Sequence, residues 1–370
     1  MGVPGLRRFF AGAALVFVFV FFCAFVWAQD ADGSPQKVTS LKEKSTLGIT
    51  TLQSWFEPKT GLYRTTGWWN SANAITTLAD YTRVTDDRQF ASVFPITFSA
   101  AQRTSPGFLN NYYDDEGWWA LAWVDVYDIT HEQQYLKMAE SIFADMTTSW
   151  DETCAGGIWW SKERTYKNAI ANELFLSVAA HLAARNNDGK TKERYLNWAK
   201  REWKWFANTG MVNAGHQIND GLDAKCANNQ KTTWSYNQGV VLGGLSELYG
   251  ETHDGTMLDQ ANAIAAAMLV NPALIDKQGI LRESCEPECG ADGTQFKGIF
   301  VRNLAALHRI APSASYRDFI LRNSDSVWKG MKPPKYEIGT SWNPPYGVVN
   351  ASTQSSGVDA LLAAAAVGAR

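Results

Sequence analysis

Histidine and cysteine are scarce in this sequence, five of each in 370 residues, and the histidines are scattered. Neither the tight Cys-x-x-Cys spacing nor the clustered histidines of a metal site are present, so metal ligation is not expected and no cofactor is implied. No stretch rich in Pro, Ser and Gly and no block of one charge divides the chain, so residues 29–370 read as one domain. Positive charge is not in excess either. Lys and Arg number 34 against 37 Asp and Glu, a formal charge of -3. That balance leaves no overall electrostatic footprint for nucleic acid or anionic lipid, and a neutral partner is expected.

What is present begins with a leader. Arg7 and Arg8 precede an apolar run from Phe9 to Trp27, and Val26-Trp27-Ala28 has the small residues that a signal peptidase reads. Residues 1–28 are expected to be a secretory signal cleaved after Ala28, with an uncleaved anchor as the alternative. Cleavage removes two arginines and Cys23, moving the formal charge from -3 to -5. The expected product is a secreted monomer, extracellular or in a cell wall, with no membrane attachment. Four cysteines remain, and an even number in a secreted chain points to two disulfides. Cys285 and Cys289 share one loop and are expected to pair, leaving Cys154 to Cys226. Asn350-Ala351-Ser352 is the sole N-glycosylation sequon.

The rest alternates between two kinds of helix. Residues 68–83, 115–129, 167–184, 235–249, 296–310 and 353–367 are apolar on nearly every face. Residues 38–56, 88–103, 132–149, 192–207, 255–269 and 315–329 carry charge along one face. The joints repeat as well. Thr85-Asp86-Asp87 is echoed by Thr130-His131-Glu132 and Thr252-His253-Asp254, and each Thr is placed to cap the incoming charged helix. Six helical hairpins closing on themselves give an all-α fold, an (α/α)6 barrel of six inner and six outer helices. An open solenoid would have atypical end caps. The last apolar helix resembles the others, which favours closure.

Closure gathers the loops that lead into the inner helices around one mouth, and those loops hold the unusual residues. Trp68, Trp69 and Asn73 open the first inner helix, and Tyr113, Asp114, Asp115, Trp118 and Trp119 open the second. Trp159 and Trp160 lie before the third, Trp234 and Tyr236 open the fourth, and Trp342 lies before the sixth. Aspartate at a helix start is commonly a cap. An acid pair among aromatic faces is also what carbohydrate chemistry uses, because sugar rings stack on aromatics and glycoside cleavage needs an acid and a base or nucleophile. Adjacent aspartates can hold their carboxyls about 5 Å apart, the spacing of a retaining enzyme, with Asp114 as nucleophile and Asp115 as acid and base. Asp220 is a further candidate for binding sugar hydroxyls. Asp125 and Asp128 read as structural, and Glu173 and Glu247 as buried and paired.

With these residues in view, the chain resembles glycoside hydrolase family 76, the endo-α-1,6-mannanases. The resemblance runs through Thr66-Gly67-Trp68-Trp69-Asn70, Tyr113-Asp114-Asp115-Glu116-Gly117-Trp118-Trp119, Gly156-Gly157-Ile158-Trp159-Trp160, Lys167-Asn168-Ala169-Ile170-Ala171-Asn172-Glu173 and Thr233-Trp234-Ser235-Tyr236-Asn237-Gln238. It implies an (α/α)6 barrel, retaining cleavage of α-1,6-linked mannan and catalysis by Asp114 and Asp115. Linkage and sugar come from the resemblance alone. Two further readings stay open: a cell-wall transglycosidase acting on mannan or lipid-anchor glycans, and a mannan-binding wall protein without turnover. Some fungal members look lipid-anchored. Residues 360–367 are short for such a tail, which favours a freely secreted enzyme.

Overall fold

In the computed structural model, which describes residues 1–2 and 40–368, twelve α-helices succeed one another. Almost all of the expected leader lies outside the described residues. Six helices are buried nearly all round: α2 (Trp68–Thr85), α4 (Tyr113–Thr130), α6 (Ala169–Arg185), α8 (Ser235–Thr252), α10 (Phe296–Ile310) and α12 (Ala351–Gly368). In α2 every residue from Asn70 to Ala79 is buried. The other six are α1 (Leu41–Gln53), α3 (Val93–Ala100), α5 (Gln133–Thr147), α7 (Gly189–Phe206), α9 (Gly255–Met268) and α11 (Ala314–Gly330). These bury one stripe each. In α7 the buried set is Tyr195, Ala199, Glu202, Trp203, Trp205 and Phe206, one helix face at spacings of three and four.

Each inner helix packs on the next, and α12 packs on both α2 and α1, so the first and last helices meet. The fold is therefore a closed (α/α)6 barrel, and an open solenoid is excluded. Arginines join neighbouring inner helices. Arg83 of α2 pairs with Asp80 and, at 2.8 Å, with Asp125 of α4. Arg185 of α6 holds Asp128 of α4 at 2.6 Å and also Glu247 of α8. Arg302 of α10 reaches Asp359 of α12 at 3.3 Å and Asn73 of α2. Asp125, Asp128 and Glu247 thus have the structural role expected of them.

Three features differ from the sequence reading. The Thr side chains at the repeated joints do not cap the outer helices. Thr85, Thr130 and Thr252 end the inner helices, where each hydroxyl donates to the carbonyl four residues back and accepts the N–H two residues on. The residue between, Asp86, His131 or His253, takes a positive φ of 54–62° and turns the chain. The second outer helix is shorter than residues 88–103, because the Asp87 carboxylate accepts from the Gln89 N–H at 2.9 Å and the Tyr81 hydroxyl at 2.5 Å, fixing a turn where a helix was expected. Helix begins only at Val93 and ends in a 3-10 turn at Ala101–Arg103. A two-residue hairpin, β1 (Phe56–Glu57) with β2 (Leu62–Tyr63), was not anticipated. Among the described residues no helix is long and apolar enough to cross a membrane.

Candidate active site

The first turn of α4 holds the acid pair. Tyr112 is the N-cap, so Asp114 and Asp115 lie within the helix, near the positive end of its dipole. Short bridges stitch this turn to the loop before α6: the Tyr113 N–H donates to the Trp160 carbonyl at 2.9 Å, and Trp160 in turn donates its N–H to Tyr166 at 2.8 Å. That brings the Trp160 indole N–H to Asp114 Oδ2 at 2.9 Å, while Asp114 Oδ1 accepts the Asp115 N–H at 3.1 Å. Asp115 Oδ2 accepts from Asn110 Nδ2 at 2.6 Å. The Asn110 amide can face only one way, since its Oδ1 accepts the Tyr112 N–H at 2.7 Å. Behind the pair, fully buried Glu116 meets Lys162 Nζ at 2.9 Å.

Electrostatics follow from that geometry. Burial pushes the Asp115 carboxyl up to about 6, the Asn110 hydrogen bond pulls it back, and the charge of Asp292 pushes it further up. Asp114 is raised well above the usual range, first by burial and then by the charge of Asp115. Two partly buried carboxyls that repel each other share a proton over the working range. Burial favours the proton on Asp114, but Asp114 receives two N–H donors and Asp115 one, and those donors place the charge on Asp114 and the proton on Asp115. Burial likewise pushes Glu116 up to about 8, partly offset by Lys162.

Aromatic rings make the floor. Trp69 stacks on Trp118 with centroids 5.7 Å apart, Trp118 lies 6.5 Å from Tyr236, and Tyr236 stacks on Phe296 at 3.8 Å. Trp234 meets the edge of Phe296 at 5.6 Å, and Tyr112 lies 5.0 Å from Trp160 on the other side of the acids. The Tyr236 hydroxyl is pushed far up, first by burial and then by the charges of Asp114, Asp220 and Asp292. Asp220 is partly exposed, and its Oδ2 accepts from the Tyr166 hydroxyl at 2.5 Å.

The predicted residues divide. Asp114, Asp115, Trp69, Trp160, Trp234 and Tyr236 share this cleft, Trp118 lies buried beneath Trp69, and the charge of Asp220 acts on Tyr236. Trp119 instead is fully buried beside Trp68, Phe108 and Trp123, and Trp68 packs in the same cluster. Trp159 donates to Asp151 at 2.7 Å beneath Lys167 and braces the loop. Tyr113 is buried under Lys162, and Asn73 is buried and bonded to Arg302. Trp342 is 1 % exposed, beneath Lys297. The reason is geometric: successive helical side chains diverge by about 100°, so one member of Trp68-Trp69 and one of Trp118-Trp119 faces the lumen while the other enters the wall. Glu173 was expected to be paired. It is fully buried, neither carboxyl oxygen has a hydrogen-bond partner among the described residues, and burial holds it protonated.

Sequence reasoning missed Asn110, Asp292, Phe296 and Tyr166. Asp292 accepts the Trp69 indole N–H at 2.9 Å from a loop 223 residues away, and nothing local announces it. Asn110 could have been read from its place just before the acid pair. Both disulfides form as expected. Cys154–Cys226 ties the Trp160 loop to the Asp220 loop, and Cys285–Cys289 closes the turn ahead of Asp292. Asn350 Oδ1 accepts the Thr353 N–H at the start of α12. Gly157, in the Trp160 loop, has φ 80° and lies against the Trp205 ring, where a Cβ would collide.

Comparisons with known proteins agree with this architecture. The model of the family described as Glycosyl hydrolase family 76 matches residues 40–368. The mannan endo-1,6-alpha-mannosidase DFG5 of Candida albicans is 28 % identical over 280 residues, 68 % of this chain and 60 % of that protein. The DFG5 protein of Saccharomyces cerevisiae is 30 % identical over 218 residues, covering 54 % and 46 %. The chain thus spans about half to three-fifths of the length of the curated relatives it matches. Among solved structures, an inactive variant of the α-1,6-mannanase GH76A of a Salegentibacter species, substituted at two consecutive aspartates and bound to α-1,6-mannotetrose, superposes with TM-score 0.80 at 23 % identity. It covers 89 % of this chain and 100 % of that one. Dfg5 from Chaetomium thermophilum in complex with glucosamine gives TM-score 0.78 at 20 % identity, covering 91 % and 93 %.

Proposed function

We propose, from the premise that this chain belongs to glycosyl hydrolase family 76, that it is a secreted, monomeric retaining hydrolase of α-1,6-mannosidic linkages in mannan backbones. One observation carries the mechanism: the acid pair opens α4 with two N–H donors aimed at Asp114 and one at Asp115, beside a continuous aromatic floor. Asp114, ionised, attacks the anomeric carbon and forms a glycosyl ester. Asp115 gives its proton to the departing glycosidic oxygen, then takes one from the incoming water as the ester is cleaved. Trp69 and Tyr236 offer apolar faces to sugar rings, with Trp118 buried beneath as their support, and Asp220 offers an acceptor to hydroxyls.

The mannan substrate is supported by the names of the relatives and by the mannotetrose held by the Salegentibacter protein. Digestion of linear α-1,6-mannan, with the anomeric form of the first product followed by NMR, tests this reading. A β anomer as the first-formed product would reject the retaining mechanism. Activity comparable to the parent in Asp114→Asn or Asp115→Asn would reject the residue assignment. The same ester could pass to a sugar hydroxyl, and products longer than the substrate when an acceptor is added would identify a transglycosidase.

A further inference from the structure

The overall charge of -3 conceals an uneven distribution. Helix α7 alone holds Lys190, Lys192, Arg194, Lys200, Arg201 and Lys204 against two acids, Glu193 and Glu202. Glu202 is fully buried and kept protonated by that burial, so it offsets nothing at the surface. Lys190, Arg194, Asn197, Arg201 and Lys204 recur at intervals of four and three, hence on one face of the helix, and all are exposed. At 1.5 Å per residue the stripe from Lys190 to Lys204 runs about 21 Å.

The stripe is also shaped. Lys190, Glu193, Arg194, Asn197, Trp198 and Arg201 line a shallow groove. Trp198 is half-buried there, with the Arg201 guanidinium 5.3 Å from its ring. An aromatic face beside guanidinium groups suits a sugar ring with an oxyanion attached. The exposed residues of the stripe are all polar, so the helix has no apolar face to sink into a bilayer. Its C-terminal end meets the rim of the cleft: the Trp205 indole N–H donates to the Cys154 carbonyl at 2.9 Å, and the same ring packs on Gly156 and Gly157 of the loop that holds Trp160.

We propose that the outer face of α7 is a second carbohydrate-binding surface, for polysaccharide strands carrying phosphodiester or carboxylate groups. It holds the polymer beside the cleft and raises its local concentration there. The surface stands apart from the acid pair, so binding can be measured without turnover. In affinity electrophoresis of the Asp114→Asn/Asp115→Asn chain, gels containing phosphorylated mannan or a polyuronate should retard the protein, and added salt should weaken the retardation. Comparing the two polymers shows which anion is preferred. Lys190→Glu/Arg194→Glu/Lys204→Glu should weaken the anionic binding by about tenfold or more while leaving binding of neutral linear mannan unchanged. Unchanged anionic binding in that variant would overturn the proposal. So would equal retardation by neutral and anionic polymers, or equal binding to vesicles containing phosphatidylserine.

Discussion

Substituting Trp160→Phe tests how the acid pair divides its proton. The phenyl ring keeps a ring contact with Tyr112 but removes the indole N–H that reaches Asp114 Oδ2 at 2.9 Å. A hydrogen bond to a charged group contributes about 1.5–3 kcal/mol, equivalent to roughly one to two pKa units. Because the pair shares one proton, the loss moves that proton from Asp115 toward Asp114. The result is a neutral nucleophile beside an ionised acid, the wrong arrangement for glycoside cleavage. The ratio of the two singly protonated forms does not depend on pH, so a change of buffer cannot restore activity. We expect kcat/KM on α-1,6-linked mannooligosaccharides to fall about ten- to a hundredfold at every pH, mostly through kcat. The acid limb should also move upward, since Asp114 then ionises less readily. Initial rates between pH 4 and 8, with circular dichroism to establish the fold, give the answer. A folded variant within about twofold of the parent across that range would refute the reasoning.

Other perturbations follow from the same structure. Asn110→Ala removes a side-chain donor to Asp115, so Asp115 should stay protonated to higher pH and the alkaline limb of the rate profile, expected near pH 6 in the parent, should shift upward; a profile that stays in place or moves down would contradict this. Lys167→Met removes a buried ammonium that donates to Asp151 Oδ1 and to the carbonyls of Thr153, Gly156 and Gly157 at 2.7–2.9 Å. Denaturant titration should register a loss of about 3 kcal/mol. Replacing Cys154 and Cys226 by Ser opens a link between residues 72 apart, for which chain entropy alone gives about 4 kcal/mol, against about 2 kcal/mol for the link over four residues at Cys285–Cys289; equal losses from the two would count against the loop-entropy account. Glu116 and Glu283 are raised to about 8 and Asp359 to about 7, all chiefly by burial. These groups bind more protons folded than unfolded, so stability should fall as pH rises from about 5 to 8. Asp151 is lowered to about 2 by Lys167 and Trp159 in spite of burial, so below pH 4 stability should fall again. A melting temperature that rises between pH 5 and 8 would be the wrong sign.

Much of this fold was legible because inner and outer helices of a closed barrel face different solvents. An inner helix such as α2 touches protein on all sides and reads as apolar throughout, whereas α7 alternates buried and exposed stripes, so periodicity alone separates the two sets. Their number, six and six, then implied the ring. The acid pair was legible for a similar reason, since two adjacent carboxylates at the head of an otherwise apolar helix stand out in composition. Less visible was which tryptophan of each pair would face the lumen. Trp69 and Trp118 do, while Trp68 and Trp119 do not, and that depends on the rotation of each helix about its axis, which is set by its neighbours.

The sequence by itself determined the helical alternation and the position of Asp114 and Asp115 at a helix start, because each rests on contacts within a short span or on the solvent that one helix meets. Tertiary structure alone decided the environment of those acids. Asn110, Trp160 and Asp292 reach the site from three separate loops, and a carboxyl's charge depends on what surrounds it within a few ångströms of space, wherever those neighbours lie along the chain.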